Sequence, residues 1–365
     1  MGKIDWYILK KFIVTFFFCM VMFMVVAVAV DSSEKTDDFV KTGLSTGQII
    51  RQYYFGFVPF IWGLLFPLFV FIACIFFTSK MATRSEIIAI LASGTSYRRL
   101  LRPYLVGGLF LGTILWFGTR YLIPRANGLR SAFQANYIDK NDPAKNQQQG
   151  SCYNCFYQRV DSNTYVGMKN YDTVSKSANK FFMEVVKDNK IVYNLRANTI
   201  KWDSDRRRWK LLDAVERKVD SMGERTKTFK ELGLRMRLKP DELRKDEYLK
   251  DRLTTPELVA YIREEQLRGR EGLSALQVER YRRTATPYAV VMLALLGVII
   301  ASRKTRGGSG LHLAIGIIVA VLFIVSDRFS TVFATKSNFP PLLAAWLPNI
   351  VFTLVAWYMY RRTPK

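Results

Sequence analysis

The sequence predicts a polytopic α-helical membrane protein with six transmembrane helices, in two groups of three around an inserted extramembranous domain. Three observations predict it. Six runs contain no charged residue: Phe12–Val30, Tyr53–Thr78, Pro103–Thr119, Thr284–Ser302, Gly307–Ser326 and Ser337–Tyr360. A polar, basic stretch separates the third run from the fourth. Lysine and arginine fall unequally on alternate loops.

A helix needs about 20 apolar residues to cross a bilayer. Five runs reach that length. Pro103–Thr119 is shorter, but Arg102 and Arg120 at its ends can snorkel to the interface. Core helices of soluble proteins are rarely this long without a charge, and six in one chain argue against that class. The first run has a basic start and Ala27-Val28-Ala29 near its end, as a signal peptide would. Its apolar core exceeds the usual signal length, so an uncleaved signal anchor is expected.

Orientation follows from the short loops, because cytoplasmic loops concentrate lysine and arginine. The head (Lys3, Lys10, Lys11), the second loop (Lys80, Arg84, Arg98, Arg99, Arg102), the fourth loop (Arg303, Lys304, Arg306) and the tail (Arg361, Arg362, Lys365) hold fourteen. The opposite side holds five: Lys35, Lys41, Arg51, Arg328 and Lys336. Both termini are therefore expected in the cytoplasm and the insert outside it.

The insert reads as β-rich. Phe156–Val160, Thr164–Met168, Lys190–Tyr193 and Trp209–Leu212 are short, alternate apolar with polar residues and are separated by turn residues. This pattern fits a sandwich, a jelly roll or a curved open sheet. Residues 139–150 read as a polar loop where the domain begins. Helical periodicity returns at Thr255, a candidate N-cap followed by Pro256 in the first turn. A second helix, Ser274–Arg283, runs into the fourth span. Gly307-Gly308-Ser309-Gly310 reads as a turn between spans.

Charge and composition exclude several functions. The net charge is +24, shared equally between the insert region and the membrane part, +12 each. Half is the positive-inside excess; the other half faces the outside, where no nucleic acid is expected and where an anionic substrate or anionic lipid fits. A merely basic solvated surface fits the charge equally. Cys152 and Cys155 form a lone C-x-x-C, read as a structural pair in an oxidising compartment. Cys19 and Cys74 lie in spans. The only histidine, His312, lies in the fifth span, and no Walker phosphate loop occurs, so neither a metal nor a catalytic constellation is expected.

The second cytoplasmic loop is different. Thr83 and Glu86 read as a capping box opening a short helix over 83–94. Ile87, Ile90, Leu91 and Gly94 then share one face, with Gly94 as the C-cap. A helix between two spans is one way in which permeases engage a separate ATPase. It is equally the pattern of a helix lying on lipid.

The string Arg84-Ser85-Glu86-Ile87-Ile88-Ala89-Ile90-Leu91-Ala92-Ser93-Gly94 resembles the R-S-E-x-x-x-x-x-A-S-G signature of lipopolysaccharide-export permeases of the LptF/LptG type. Other pieces agree in order. Asp5-Trp6-Tyr7-Ile8 resembles the family's start, and Pro124 follows the third span. Ala197, Trp202 and Trp209-Lys210-Leu211 resemble a strand pair of its periplasmic domain. Arg283 with Pro287 opens the fourth span, and Pro340-Pro341 with Ala344-Ala345-Trp346-Leu347-Pro348-Asn349 resembles the last-span signature. Where some members carry an acid before the proline after span three, this chain has Arg120 nearby.

The resemblance implies a permease subunit of an ATP-driven exporter. It would extract lipopolysaccharide from the bacterial inner membrane and pass it to a periplasmic β-jelly-roll bridge toward the outer membrane. Implied partners are a cytoplasmic ATPase dimer, a sister permease subunit (F-type with G-type), bridge proteins and lipopolysaccharide. No cofactor and no catalytic residue is implied, since hydrolysis would occur on the separate ATPase. Expected divisions are 1–122 (three spans with the coupling helix 83–94), 123–254 (periplasmic β-jelly-roll-like domain), 255–283 (helical connector) and 284–365 (three spans). Glu86, Ile87, Ile90, Leu91 and Gly94 are the expected ATPase-coupling residues. Lys35, Lys41, Arg125 and Arg130 are the expected cations for a phosphorylated headgroup. Tyr165, Val192 and Leu211 are candidates for the lining of the jelly roll. Another ATPase-coupled lipid or lipoprotein exporter, or a non-transporting envelope assembly or sensor protein, remains open.

Overall fold

The structure, a computed structural model, describes residues 2–362 apart from 139–155, 162, 173–174, 188–189, 205, 207, 221–222, 237–239, 241–248, 268–272, 303–307 and 338. Cys152, Cys155, the loop 139–150 and the cations Arg303, Lys304, Arg306 and Lys365 lie outside the described residues. The chain forms two compact units. One comprises Met1–Phe133, Lys250–Val259 and Ser274–Lys365; the other comprises Gln134–Leu249 and Ala260–Leu273.

The first unit is a helical bundle. Its elements are α1 (Lys3–Glu34), α2 (Thr36–Thr42), α3 (Thr46–Ile49), α4 (Phe55–Thr83), α5 (Glu86–Ala92), α6 (Tyr97–Phe117) and α7 (Ile123–Phe133). After the insert come α8 (Leu249–Arg252), the first turn of α9 (Thr255–Leu267), which belongs to the second unit from Ala260 on, and then α10 (Ser274–Ala301), α11 (Gly308–Lys336) and α12 (Pro341–Arg361). Single π turns at Ile50–Tyr54 and Gly118–Leu122 join α3 to α4 and α6 to α7. Six of the resulting helices are long and apolar enough to cross a membrane. Proline inside α4, α6, α10 and α12 is tolerated because neighbouring helices shield the freed backbone groups.

Packing ranks the six. The apolar window of α10 is 72% buried, against 11% for α1 and 17% for α11. So α10 is the axis of the bundle, and α1 and α11 turn most of their surface outward. Phe12 and Phe16 of α1, Val70 and Cys74 of α4, Tyr104 and Leu111 of α6, and Val290 and Ala294 of α10 share one core. Its buried hydroxyls are satisfied internally: Thr78 Oγ1 donates to Tyr104 Oη at 3.0 Å, and Tyr97 Oη meets Ser302 Oγ at 3.0 Å. Close approach has a local cause at Gly56. A Cβ there would lie 2.5 Å from the Ala126 carbonyl oxygen and 2.7 Å from the Arg130 nitrogen.

The second unit contains a six-stranded antiparallel sheet in sequence order. Its strands are β1 (Phe156–Asp161), β2 (Thr164–Asp172), β3 (Ser177–Lys187), β4 (Lys190–Asp203), β5 (Arg208–Asp220) and β6 (Gly223–Leu234). Register breaks in β1–β2, β2–β3 and β3–β4 add twist and curl. Val166, Phe181, Leu195, Ile200, Trp209 and Leu211 fill one face. Trp202 and Trp209 are register partners with ring centroids 5.1 Å apart. This is the jelly-roll-like insert between the third and fourth spans.

Some local expectations change. The Thr83–Glu86 capping box does not form. The α4 helix continues through Thr83, whose hydroxyl donates to the Ser79 carbonyl at 2.9 Å. The chain reverses at Ser85 in the left-handed region (φ 61), so Glu86 begins α5 as its first residue. At the connector the cap moves back one residue. The Thr254 N–H donates to Glu257 Oε2 at 2.8 Å, and the Thr254 carbonyl accepts from Leu258 N–H at 2.8 Å. Gly308–Gly310 open α11 instead of forming a turn. The helix expected over Ser274–Arg283 does run unbroken into the fourth span.

Candidate functional site

Three places hold the residues singled out in the sequence. The first is the interior of the sheet. A cavity of about 540 Å³ is walled by Val160 of β1, Val166 of β2, Met183 and Val185 of β3, and Leu234 and Met236 at the end of β6. Since β1 and β6 are the two edges of the sheet, one cavity lined by both means that the sheet is rolled. Leu211 lies on this buried face, whereas Tyr165 and Val192 alternate onto the other, opposite the inward Val166 and Tyr193. Tyr193 also lines the cavity. Burial, then a hydrogen bond and the charge of Glu216, push its hydroxyl up to about 12. Lys218 Nζ lies 3.4 Å from Glu216 Oε1 and 5.8 Å from the centre of the Tyr193 ring. An apolar trough with a polar cluster suits an amphiphile.

The second place is the end of the bundle from which the insert leaves the chain. Asp31 is buried in the last turns of α1, and Lys35 sits one turn later at 2.9 Å. Tyr53 Oη donates to Asp31 Oδ1 at 3.1 Å. The Lys35 ammonium also touches the Tyr53 hydroxyl and lies 4.6 Å from the centre of that ring. Phe39, Phe57 and Phe133 pack around Tyr53. Arg130 is half-buried with its guanidinium 3.9 Å from the Phe60 ring centre, and its charge acts on Tyr53. Lys35 therefore lies on the Tyr53 and Phe57 rings and Arg130 on the Phe60 ring. Lys41 and Arg125 are exposed, and Arg125 acts on Glu257. Asp31 and Tyr53 were not singled out in the sequence, although an acid closing a long apolar run is a readable signal.

The third place is α5. Ile87 is 1% exposed and joins the span core, with Ile90 and Leu91 packed against it. The expected apolar face thus holds the helix to its own bundle. The free side carries Ile88, 49% exposed, with Ala89. Glu86 is half-buried, with Arg84 Nη1 at 4.0 Å from Oε1. Gly94 adopts φ 84 just after the helix and donates its N–H to the Leu91 carbonyl at 3.1 Å. Only glycine adopts that conformation without strain.

Beside these places, Arg283 is a buried hub that the sequence reading noted only as a motif residue. It donates to Glu279 Oε1 (3.1 Å), the Leu253 carbonyl (2.8 Å), the Lys250 carbonyl (2.9 Å) and Thr255 Oγ1 (3.3 Å). It thereby ties α10 to the segment that returns from the insert. Nearby, burial and then the Glu279 carboxylate raise the Asp251 carboxyl above its ordinary value. Among the described residues no cluster of His, Cys, Asp and Glu could hold a metal ion.

Comparison with known proteins gives one family. The family profile described as lipopolysaccharide export system permease LptF/LptG matches residues 6–362, nearly the whole chain. No curated protein matches.

Proposed function

The chain belongs to the lipopolysaccharide export system permease family LptF/LptG, and on that premise we propose that it is the transmembrane half of an ATP-driven exporter in the bacterial inner membrane. The membrane subunit binds and moves lipopolysaccharide; a separate cytoplasmic ATPase dimer hydrolyses ATP. A sister permease completes the transmembrane part, and bridge proteins of jelly-roll type accept the lipid from the rolled sheet. Both termini are cytoplasmic and the sheet is periplasmic, a reading supported by the excess of lysine and arginine on the short loops of the other side.

The observation that carries this reading is the pairing of the family match with a rolled sheet whose interior is an apolar trough. A lipid with several acyl chains must be kept from water once it leaves the bilayer, because each exposed methylene costs about 0.8 kcal/mol. The trough supplies that cover. Lys35, Lys41, Arg125 and Arg130 supply cations for the phosphorylated head, with arginine offering paired hydrogen bonds and lysine a point charge. Lys35 and Arg130 are braced by aromatic rings, while Lys41 and Arg125 are exposed.

On the opposite side, α5 couples to the ATPase. Glu86 and Ile88 face the partner; Ile87, Ile90 and Leu91 transmit its displacement to the spans, and Gly94 ends the helix. The experiment is purification with co-expressed ATPase and sister permease, followed by mass spectrometry of bound lipid. Lipopolysaccharide is the expected lipid. A Lys41→Glu, Arg125→Glu double variant should retain several-fold less of it while keeping the ATPase, since charge reversal removes two phosphate contacts. Undiminished lipopolysaccharide in that variant would remove these cations from the headgroup site. Absence of lipopolysaccharide from the wild-type complex would overturn the reading itself.

A further inference from the structure

The rolled sheet carries charge on the same face as its apolar trough. Between β4 and β5, Tyr193, Leu195 and Ala197 stand opposite Lys218, Glu216 and Ala214. Leu195 and Ala214 are fully buried, so this is the inward face. Between β5 and β6 the register runs from Ala214–Phe229 to Lys218–Arg225 without a break, which sets Lys227 beside Glu216 and Arg225 beside Lys218. Phe229 packs into the buried core. Side chains alternate along a strand, so Lys227 and Arg225 share the inward face with it.

Lys218, Arg225 and Lys227 thus form a basic corner beside the β5–β6 turn, around a single acid. Glu216 is 17% exposed in its side chain. It holds Lys218 Nζ at 3.4 Å and the Tyr193 hydroxyl. Arg225 and Lys227 are exposed, and their side chains make no ion pair or hydrogen bond among the described residues. The outward face of the same hairpin differs. Its Arg217 is neutralised by Glu224 on that face, and Val215 lies opposite Thr228 in solvent. A merely solvated strand end would not collect its unpaired cations on the trough side.

Tyr193 joins the corner to the trough. It lines the cavity with Val166, Met183 and Val185. Lys218 and Arg225 stand one and two strands away from it, about 5 and 10 Å.

We propose that this corner is a headgroup seat for lipid in transit, binding the phosphate of an amphiphile whose acyl chain lies in the trough. The proposal rests on the export reading and adds a site to it. Three cations and one carboxylate leave two positive charges, and a phosphate monoester carries about −1.5 to −2 at pH 7. Arg225 offers paired hydrogen bonds to the phosphate oxygens; Lys218 and Lys227 act as point charges. Glu216 keeps Lys218 and Tyr193 in place and accepts from hydroxyls of a sugar. Apolar contact has no direction, so the trough alone fixes neither the depth nor the orientation of a chain. A phosphate held at one end fixes both.

The test uses the assembled complex with ATP and lipopolysaccharide, and a photoreactive residue at Met183 reports lipid in the trough. An Arg225→Glu, Lys227→Glu variant should give about tenfold fewer adducts, since charge reversal removes two phosphate contacts. Thr226→Glu, Thr228→Glu adds two acids to the same strand on its other face and should leave the adducts at the wild-type level. All four substituted residues are exposed, so the fold should survive each change. Lipopolysaccharide that co-purifies before ATP is added should be equal in all three proteins. Undiminished adducts in the Arg225→Glu, Lys227→Glu variant, equal losses in both variants, or loss of a bridge protein with adducts unchanged would each overturn the seat while the export reading stands. Radiolabelled inorganic phosphate alone should not be retained; retention that the Arg225→Glu, Lys227→Glu variant abolishes would mark a free-phosphate site and overturn the lipid seat. No lipopolysaccharide on the wild type, before or after ATP, would overturn the export reading as well.

Discussion

Arg283 shows how one residue can decide whether the last three spans are held to the rest. It is 6% exposed in its side chain, and four acceptors surround it. Replacing it by methionine keeps the apolar stem but strands Glu279 and two backbone carbonyls. The expected loss is about 2–4 kcal/mol, measured as a lowered thermal midpoint in detergent; an unchanged midpoint would contradict the role. Nothing in the sequence announced this hub, because three of its four partners lie some thirty positions earlier in the chain and two of those are backbone carbonyls. Tyr193 makes a second residue-scale prediction. Its pKa is raised from 10 to about 12, so the neutral form stabilises the fold. That stability is present below pH 10 and is lost as pH rises through about 12. Urea unfolding of the full chain, followed by tryptophan fluorescence at about pH 9 and about pH 11, should show a drop in stability that Tyr193→Phe reduces. Equal drops in both proteins would remove Tyr193 from the account.

At the scale of elements, the junction between α4 and α7 rests on Gly56. Alanine there would place a Cβ 2.5 Å from a carbonyl oxygen, and backbone cannot swing aside as a long side chain can. Gly56→Ala should therefore destabilise by about 1–3 kcal/mol, the usual cost of overpacking. A thermal midpoint equal to wild type would show that the helices separate freely. Helix α5 makes the functional prediction. Glu86→Gln keeps the first-turn polarity, and ATPase association should survive. Glu86→Lys should reduce ATPase co-purification by about tenfold if a charge contact is made there; normal export with Glu86→Lys would sink the coupling assignment. The strands show what was legible. The alternation in β4 and β5 exposed both as strands. β6 escaped because polar residues occupy nearly all of its exposed positions, so no period-two apolar pattern appears. β3 escaped because Phe181-Phe182-Met183 is a continuous apolar run that breaks the alternation. The face of α5 could be read as apolar, but periodicity does not say whether such a face seeks its own bundle or a partner.

At the scale of the molecule, the division into three spans, a sheet and three spans was legible because two physical limits are strict. A bilayer sets the length of an uncharged helix, and translocation sets where lysine and arginine accumulate. The strand pattern fitted a sandwich, a jelly roll or a curved open sheet, and the resemblance implied a jelly roll. What was not legible is which face rolls inward, since that comes from bulges and from edge strands far apart in sequence: Val166 and Met183 face inward, and Tyr165 faces away. The central claim is that this interior carries the lipid. The direct measurement is photo-crosslinking in the assembled complex, with a photoreactive residue at Met183 and, as the comparison, at its neighbour Glu184. The account predicts lipopolysaccharide adducts at Met183 only when ATP is supplied, and none at Glu184. Adducts of equal strength at both positions, or adducts at Met183 that do not depend on ATP, would contradict it.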